Sequence, residues 1–527
     1  REFYTFSEAF KTEIGSISVP TLEAVCAMMP AKDWEVINDD WAEHDFCSGA
    51  QQGDRYPYII TDRYGPIASL PDFVRKSQLA NYECFRAMYE GRFAKLFHPE
   101  TGVITWMSSP AQPSFVWQLY SHDLEPNASL YGTRKACEPV HIMLNQKDWH
   151  VMVVNNTPEP LKGLTAKTTV YNLDGSAQYT HSDTATAAPS AATDLGAIGF
   201  PSALSAVHFL KLELRDGKGR LLSDNFYWRA APGDEDNFQA LNTLPTVALD
   251  IQASRHDAGG KCLLEAVLRN PSQTIALMSH LQLRKARSGQ RVLPVFYSDN
   301  YVSLLPGERK TLTVEAAASD LDGDAPLLAV DGWNVTVKPT PASGSRAVVV
   351  APNTEAQVSA TAAVPASAAG ELLGINCGGS QIGFFRFGAP PPAFAQDYNY
   401  QGGKTDSVPD TGKAIDTQVP NAAPAAVYQS ERWGKCTYTI PAKPGRPCMV
   451  RLHFAEVKLE PGQRKFNVEI NGRRVLADYD IAAEAGKGKA VVKDFPAISP
   501  DGSGNIVIAF TRGSADEPKI CGIQILK

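Results

Sequence analysis

The residue pattern changes character at about residue 128, and this change limits the architectures that the chain can adopt. Before residue 128, short extended runs alternate with helical patterns. The clearest helical pattern is residues 70–93, "LPDFVRKSQLANYECFRAMYEGRF", where apolar residues recur every three or four positions. After residue 128, β-rich runs are separated by turn-forming residues at the spacing typical of β-sandwiches. The sequence therefore predicts an α/β region followed by all-β domains.

A chain of 527 residues is too long for a single core, so we expect several domains. The residue pattern divides the chain into five segments. Residues 1–127 form the α/β region, and residues 128–235 and 240–339 form two β-sandwiches. Residues 340–369 are rich in Ala, Ser and Pro and nearly uncharged, which predicts a linker. Residues 370–527 form a further all-β unit with Gly-rich loops.

Composition excludes several classes of partner. The chain has 50 Lys and Arg against 57 Asp and Glu, a net charge of −7, with no basic stripe, so we expect no nucleic acid partner. No apolar run approaches the roughly 18–20 residues that span a bilayer, so no membrane span is predicted. No Cys/His cluster has metal-ligand spacing, and we expect neither a metal nor a cofactor. The N-terminal residues lack the features of a signal peptide.

Four of the nine cysteines, Cys377, Cys436, Cys448 and Cys521, lie in the last unit. They have two interpretations. They pair as disulfides if the protein works in an oxidising compartment, or they serve as small buried apolar residues. The second interpretation is favoured.

An acidic residue and a tryptophan follow short strand patterns in the α/β region. The run "AFKTEIG" predicts a short buried strand that carries Glu13, and "TGVITWMSS" predicts a strand that ends near Trp106. Nothing in the local pattern requires a carboxylate at position 13. Glu13 is therefore a candidate catalytic residue.

The region up to about residue 340 resembles the C-terminal part of a family 2 glycoside hydrolase, in the branch of β-mannosidase, endo-β-mannosidase and exo-β-glucosaminidase. The matching runs include "FKTEIGSISVPTLEAVCAMMP", "GVITWMSSPAQPSFVWQLY", "LLSDNFYWRA" and "YSDNYVSLLPGE". The resemblance implies that the two strands are the seventh and eighth of a (β/α)8 TIM barrel. It also implies that Glu13 is the catalytic nucleophile and that Trp106 lies beside the sugar that is cleaved.

The chemistry of sugar cleavage agrees with these roles. Active sites of TIM barrels lie at the C-terminal ends of the strands, where Glu13 and Trp106 are both expected. Retaining glycosidases use two carboxyl groups about 5–5.5 Å apart. The run "WEVINDDWAEHDF" adds Trp34 and His44 as candidate substrate-binding residues in a following loop.

The chain departs from the family in two ways. A full barrel takes roughly 250 residues, whereas only residues 1–127 precede the first sandwich. The family's acid/base Glu follows an Asn, and this sequence contains no Asn-Glu dipeptide. We therefore expect the C-terminal half of a TIM barrel, with the acid/base and the rest of the barrel in an upstream N-terminal half of the same enzyme. The chain alone is then inactive.

The last unit resembles malectin, a carbohydrate-binding family with a β-sandwich of the jelly-roll type. The matching runs include "GINCGG", "FAQDYNYQGG", "VYQSERWGKCTYTIP" and "VRLHFAEV". The resemblance implies carbohydrate-binding roles for Trp433 and Asp516, and Tyr398 and Tyr400 lie in a loop expected to reach the same end. Glu431 and Arg432 are interpreted as a structural ion pair. Malectin has two adjacent aromatic residues after "FAEV", where this chain has Lys458-Leu459, so the disaccharide specificity of malectin is not expected here.

The main hypothesis is a retaining β-glycosidase that hydrolyses β-mannoside or β-glucosaminide linkages in glycans and carries an appended carbohydrate-binding module. The alternatives are a non-catalytic carbohydrate-binding scaffold and an adhesion chain of tandem β-sandwiches. The 70–93 helix and the Glu13 motif argue against adhesion. The substrate class suggests a periplasmic or secreted location.

Overall fold

The structure, a computed structural model, divides into two compact units, Arg1–Ala363 and Val364–Lys527. It describes residues 2–46, 55–340, 348–353, 371–389, 393–407, 415–442 and 446–526. Within these ranges, none of the helices combines the length and the apolar character that a membrane crossing requires.

The first unit begins with a mostly helical region. Among the described residues of this region, the helices are α1 (Leu22–Met28), α2 (Asp39–Glu43), α3 (Tyr56–Tyr64) and α4 (Leu70–Phe93), and the strands are β1 (Phe10–Ile14), β2 (Val36–Ile37) and β3 (Gly102–Thr105). Helix α4 has the predicted bounds. It starts where the side chain of Ser69 accepts a hydrogen bond from the backbone of Asp72, with Pro71 in the first turn.

Strands β1 and β3 pair in parallel, with Phe10 opposite Gly102 and Ile14 opposite Thr105. Ile14 is buried in a cluster with Phe85 and Met88 of α4. The prediction that this strand is buried is wrong for Phe10, Thr12 and Glu13, which are exposed. The reason is that, in the described part of the chain, β3 is the only strand paired with β1.

Helix α5 (Ala128–Ala136) lies where the sequence pattern predicted all-β structure, so that part of the prediction is wrong. The side chain of Asn127 caps the helix by accepting a hydrogen bond from the backbone of Ser129. The helix packs closely against α4, because a Cβ atom at Gly132 would lie 2.3 Å from the carbonyl oxygen of Tyr82. This long-range packing gives the segment a helical partner that local patterning did not reveal.

A β-sandwich follows α5. One sheet has the order β4-β5-β8 and the other β10-β9-β6-β7. Its strands are β4 (Val140–Asn145), β5 (His150–Asn155), β6 (Leu161–Asn172), β7 (Ala177–Ala187), β8 (Ala191–Ala197), β9 (Val207–Arg215) and β10 (Leu221–Ala230). Alternating apolar residues of both sheets, including Ile142, Leu164 and Leu212, form its core.

A second sandwich has sheets in the orders β14-β16-β12-β11-β18 and β15-β13-β17-β19. Its strands are β11 (Val247–Ala258), β12 (Lys261–Arg269), β13 (Ala276–Lys285), β14 (Phe296–Tyr297), β15 (Val302–Leu304), β16 (Arg309–Ala317), β17 (Pro326–Asp331), β18 (Val335–Val337) and β19 (Val349–Pro352).

Strand β19 lies inside the predicted linker, so residues 340–369 are not linker throughout. The strand pairs in parallel with β17, and Val348 and Val350 are fully or almost fully buried. Three consecutive valines supply the apolar surface and β-propensity that add a strand to the sheet. The linker prediction for residues 341–347 and 354–369 lies outside the described residues.

In the part of the second unit that the structure describes, the strands form sheets in the orders β20-β30-β24-β27 and β22-β23-β28-β25-β26, with β29 paired to β23. Its strands are β20 (Glu371–Asn376), β21 (Phe385–Arg386), β22 (Tyr400–Ser407), β23 (Ser430–Pro441), β24 (Cys448–Ala455), β25 (Lys465–Ile470), β26 (Arg473–Tyr479), β27 (Ala490–Ile498), β28 (Asn505–Ala515), β29 (Lys519–Ile520) and β30 (Gly522–Leu526), and one short helix, α6 (Ile481–Ala485), precedes β27.

The cysteines of this unit are free thiols in the structure. Cys377, Cys436, Cys448 and Cys521 are all buried. Burial raises the pKa of Cys436 to about 12 and the pKa of Cys521 to about 11, so both stay protonated at neutral pH. They serve as small apolar residues of the core.

Candidate functional site

Glu13 lies near the C-terminal end of β1, on the face that points away from α4. Side chains alternate between the two faces of a strand, and Ile14 occupies the face packed against α4. Glu13 is exposed. Within the described ranges its side chain forms no ion pair or hydrogen bond, so no basic neighbour neutralises its carboxylate.

Trp106 follows the last residue of β3, at the same end of the two-stranded sheet as Glu13. Its backbone N–H donates a hydrogen bond of 2.8 Å to the carbonyl oxygen of Ile14. Its side chain is 51% exposed, which leaves the indole face accessible. The structure therefore places the predicted nucleophile and the predicted sugar-contacting aromatic on adjacent strands at one edge.

His44 lies beside the segment that follows Trp106. Its Nδ1 atom is 2.8 Å from the carbonyl oxygen of Pro113, and its own carbonyl accepts a hydrogen bond from the backbone of Phe115. The ring of Phe115 stacks on Trp41 of α2 at 5.1 Å between ring centroids. These contacts fix His44 next to the loop after β3. Because Nδ1 faces a carbonyl oxygen, the neutral ring presents Nε2 as an acceptor.

Trp34 is less closely tied to Glu13. Its indole N–H donates a hydrogen bond of 3.0 Å to the carbonyl oxygen of Met29, within its own segment. In the described part of the chain, no hydrogen bond or ring contact joins Trp34 to Glu13 or Trp106. A substrate-binding role for Trp34 remains a prediction.

Sequence reasoning missed Trp117, which lies close to the end of β1. A Cβ atom at Gly15 would lie 2.4 Å from the ring of Trp117, so the indole occupies the space that a side chain at position 15 would need. The run "SFVWQL" contains no periodicity or spacing that marks this tryptophan. Only the three-dimensional approach to Gly15 identifies it.

The second unit carries its own candidate site around Trp433. On the paired strands β22, β23 and β29, Trp433 lies opposite both Lys404 and Lys519. The ammonium group of Lys404 lies 5.5 Å from the centroid of the Trp433 ring, and the indole is partly exposed. The backbone of Gly434 donates a hydrogen bond to the carbonyl oxygen of Pro518, which holds the segment containing Asp516 near this edge.

Asp516 is exposed, and its carboxylate lies 3.3 Å from Nη2 of Arg464. Lys458, in the position where malectin has an aromatic residue, forms an ion pair with Asp406. The hydrogen bond between these two side chains raises the pKa of the lysine and lowers the pKa of the aspartate. Charged side chains of both signs therefore lie on the strands paired with β23, which carries Trp433: Lys404 and Asp406 on β22 and Lys519 on β29.

The two candidate tyrosines differ in exposure. Tyr398 is buried, whereas Tyr400 is 45% exposed. The guanidinium carbon of Arg432 lies 3.3 Å from the centroid of the Tyr400 ring, so one face of this tyrosine is covered by a cation. Tyr400 thus presents its other face, and both assignments remain predictions.

The predicted ion pair between Glu431 and Arg432 is wrong. Arg432 instead pairs with Asp397, with 2.7 Å between Nη2 and the carboxylate oxygen, and Glu431 pairs with Lys519. Adjacent residues of a strand point to opposite faces of the sheet, so their side chains cannot meet. All three of Glu431, Arg432 and Lys519 are buried, and each finds its partner on another element.

Family models match three parts of the chain. The Mannosidase Ig/CBM-like domain matches residues 147–233, and the Exo-beta-D-glucosaminidase Ig-fold domain matches residues 225–335. The Malectin domain matches residues 371–523. These matches cover most of the two sandwiches of the first unit and nearly all of the second unit.

Curated relatives carry the corresponding names. The exo-beta-D-glucosaminidase of Amycolatopsis orientalis is 32% identical over 365 residues, which are 64% of this chain and 35% of that protein. The mannosylglycoprotein endo-beta-mannosidase of Lilium longiflorum is 26% identical over 63% of this chain and 42% of its own length. Malectin-B of Xenopus laevis is 28% identical over 24% of this chain and 50% of its own length. The chain thus spans half or less of each of these relatives.

A solved structure agrees with these relatives. The exo-chitosanase CsxA of Amycolatopsis orientalis superposes with a TM-score of 0.58 at 30% identity, covering 63% of this chain and 43% of that one. The resemblance predicted from the sequence is therefore confirmed: the chain carries mannosidase-type and exo-β-D-glucosaminidase-type Ig domains followed by a malectin domain, and over about 63% of its length it is similar to family 2 glycoside hydrolases.

Proposed function

We propose that the chain is the C-terminal part of a retaining β-glycosidase that cleaves β-glucosaminide or β-mannoside linkages, with an appended glycan-binding module. The observation that carries this proposal is the position of Glu13 and Trp106 at the same end of two adjacent parallel strands. Similarity to an exo-beta-D-glucosaminidase and an endo-beta-mannosidase supports the reaction class. The names of these relatives differ in the sugar, so both linkages remain candidates.

In the proposed mechanism the carboxylate of Glu13 attacks the anomeric carbon and the glycosidic bond breaks. A second carboxylic acid protonates the leaving oxygen, which gives a covalent glycosyl-enzyme. The same second group then removes a proton from water, which attacks the anomeric carbon and releases Glu13. Trp106 offers an apolar face to the C–H side of the sugar.

We further propose that the second carboxyl group and the other half of a TIM barrel come from an upstream part of the same enzyme. Exposed apolar side chains on β1, β3 and the preceding segment support this proposal: Phe10 is 50% exposed, Ile104 55% and Phe6 42%. Parallel sheets are normally covered on both faces, so such an open sheet requires a further layer or further strands. Without them the chain does not turn over substrate.

Covalent trapping tests the proposed reaction. We expect the complete polypeptide to react with 2-deoxy-2-fluoro-β-D-mannosyl fluoride or 5-fluoro-β-D-glucosaminyl fluoride, because fluorine slows hydrolysis of the glycosyl-enzyme more than its formation. Peptide mapping by mass spectrometry should find the label on Glu13. Exposed Glu43 of α2 is the internal control and should stay unlabelled.

The alternative, a carbohydrate-binding scaffold without catalysis, predicts no label with either reagent and no hydrolysis of p-nitrophenyl glycosides. The malectin domain then accounts for all carbohydrate recognition. Label on a residue other than Glu13 keeps the glycosidase class but rejects this nucleophile. A periplasmic or secreted location fits the proposed substrate and remains a prediction.

Glycan binding by the second unit depends on Trp433 and Asp516 in this proposal. We expect Trp433→Ala in the full chain to weaken binding about tenfold, because an aromatic contact contributes about 1–1.5 kcal/mol. Asp516→Asn should give a smaller loss. Retention in affinity gels containing mannan, chitosan or glucan measures the change.

Phe384→Ala is the matched control, since Phe384 is an aromatic residue of the same unit that is 50% exposed. It should bind like the parent chain. Equal losses in the Trp433 and Phe384 variants, or binding that does not depend on Trp433, would place the glycan site elsewhere on the unit.

A further inference from the structure

Gly15 immediately follows β1, two residues beyond Glu13. The backbone N–H of Trp106 donates a hydrogen bond to the carbonyl oxygen of the intervening Ile14, so Gly15 lies at the end of the sheet where Glu13 and Trp106 are found. The ring of Trp117 lies there too, 2.4 Å from the position of a Cβ atom at residue 15.

Gly15 is required for this approach. The same Cβ atom would also lie 2.2 Å from the carbonyl oxygen of Trp106. Neither the backbone of Trp106 nor a large ring moves easily by the ångström or more that a side chain would need. The absence of a side chain thus brings the Trp117 indole against the strand two residues beyond Glu13.

The backbone of Trp117 is held in an unfavourable conformation. Its φ of +34° lies on the left-handed side, which bulky residues rarely adopt. The carbonyl oxygen of Trp117 accepts a hydrogen bond of 2.9 Å from the backbone of Met107, and the flanking Val116 and Gln118 are buried. Such backbone strain persists only where the surroundings impose it, and it is concentrated at functional sites.

Trp117 is nevertheless only partly buried, unlike the residues on either side of it. A tryptophan that served packing alone would gain most by complete burial and a relaxed backbone. Here the chain holds a large aromatic ring, partly open to solvent, against Gly15, two residues beyond Glu13 and next to the carbonyl oxygen of Trp106.

We propose that Trp117 is a substrate-positioning residue whose ring forms one wall of the sugar subsite at Glu13. This inference rests on the proposed glycosidase function and deepens it. The ring packs against the apolar C–H face of the sugar bound at Glu13 and fixes the distance between the anomeric carbon and the carboxylate. Because Gly15 has no side chain, the ring of Trp117 can pack against the chain two residues beyond the nucleophile.

Steady-state kinetics of the complete polypeptide with p-nitrophenyl β-D-glucosaminide and p-nitrophenyl β-D-mannoside test the inference. Trp117→Ala should raise KM about tenfold, the equivalent of one lost aromatic contact. It should lower kcat/KM about 100-fold, because a substrate misplaced by about 1 Å loses that much. Trp117→Phe keeps a ring against Gly15 and should recover most of both losses.

Trp149→Ala is the matched control. Trp149 also has a positive φ, +65°, and is also partly buried, but it lies in the first β-sandwich with the guanidinium of Arg229 4.2 Å from its ring. Its replacement should lower the melting temperature and leave KM unchanged. Equal kinetic effects of the Trp117→Ala and Trp149→Ala variants would show that Trp117 is only structural and would overturn the proposal.

A second measurement covers the case in which Trp117→Ala does not fold. In the unmodified enzyme, glucosamine-configured castanospermine should slow oxidation of Trp117 by N-bromosuccinimide, as quantified on its peptide, and should leave Trp149 unaffected. If the inhibitor stops hydrolysis but leaves the rate of Trp117 oxidation unchanged, the ring of Trp117 does not line the subsite and the proposal is rejected.

Glu13→Gln separates this inference from the function on which it rests. If that variant is inactive while the Trp117 variants have parental KM, only the assignment of Trp117 fails. If Glu13→Gln remains active, the proposed nucleophile and the subsite built around it both fail.

Discussion

Replacing Glu13 by glutamine lowers kcat for glycoside hydrolysis by about 10⁴-fold or more in the complete polypeptide. Glutamine has nearly the shape of glutamate but is a much weaker nucleophile, so the covalent intermediate does not form. Losses of this size are typical when the nucleophile of a covalent mechanism is removed. Initial rates with p-nitrophenyl β-D-glucosaminide and p-nitrophenyl β-D-mannoside measure the effect.

Two further variants make this result specific. Glu43→Gln removes one exposed carboxylate from the same region and should retain full activity. Glu13→Ala leaves a space beside the anomeric carbon, and added azide should enter it and give an α-glycosyl azide, because attack comes from the face that Glu13 normally occupies. Product analysis by NMR identifies the anomer.

Activity within tenfold of the parent in Glu13→Gln would reject the nucleophile. A β-glycosyl azide would place the missing carboxylate on the other side of the sugar, which is the position of the acid/base. Either result would reject Glu13 as the nucleophile, while the similarity of the two sandwiches to glucosaminidase and mannosidase domains would stand.

Local sequence signals predicted some elements well. Helix α4 has the predicted bounds because Ser69, Pro71 and the apolar repeat are all local features that specify the start and the buried stripe of a helix. Strands β1 and β3 likewise follow from short apolar runs. Where neighbouring residues all favour the same secondary structure, that structure can be predicted without knowledge of the tertiary fold.

Features that depend on distant partners were not predictable in this way. Helix α5 forms against α4 through the close approach at Gly132, and β19 forms by pairing with β17. Glu431 and Arg432 are adjacent in sequence, but their partners Lys519 and Asp397 are set by the sheet. In each case the deciding contact joins residues that are far apart along the chain.

The residues of the candidate site also differ in whether the sequence alone could identify them. Family resemblance identified Glu13 and Trp106 from the runs around them, and the structure places both at one edge of a parallel pair of strands. Trp117 was missed because its position depends on the missing side chain at Gly15 and on its own positive φ. The residues next to Trp117 in the sequence predict neither property.

The interface between α4 and the first sandwich contains a buried carboxylate, Glu90. One of its oxygens accepts hydrogen bonds from the amide of Asn225 at 2.7 Å and the hydroxyl of Tyr227 at 2.8 Å, and the ring of His141 is 3.1 Å away. The hydroxyl of Tyr4 donates to the other oxygen at 2.8 Å. The network joins α4, which supports β1, to strands β4 and β10.

Electrostatics favour the ionised form of Glu90. Burial alone would raise its pKa, but the hydrogen bond with His141 and the positive charge of Arg86 outweigh that effect, so the pKa of Glu90 is lowered. Burial would likewise lower the pKa of His141, whereas its bonds to Glu138 and Glu90 raise it. Both pKa shifts therefore favour the charged forms of Glu90 and His141 at this interface.

Glu90→Ala should lower the free energy of unfolding of the first unit by about 3–5 kcal/mol. It removes the acceptor of hydrogen bonds from Tyr4, Asn225, Tyr227 and His141, and it takes away the carboxylate that faces the buried charge of Arg86. Urea denaturation followed by tryptophan fluorescence measures the loss. Glu90→Gln keeps an acceptor oxygen and should lose less, and Glu315→Ala, which breaks an exposed pair with Lys261, should lose no more than about 1 kcal/mol.

The two pKa shifts predict how the stability difference between the parent and Glu90→Ala depends on pH. Because the pKa of Glu90 is lowered in the folded state, its contribution is present above the unfolded value of about 4.3 and is lost as pH falls further. Because the pKa of His141 is raised, its contribution is present below about 6.5 and is lost as pH rises through the folded value. The difference between the parent and Glu90→Ala should therefore be greatest between these limits. A difference that does not change from pH 3 to pH 9 would show that packing, and not the charged network, holds α4 against the sandwich.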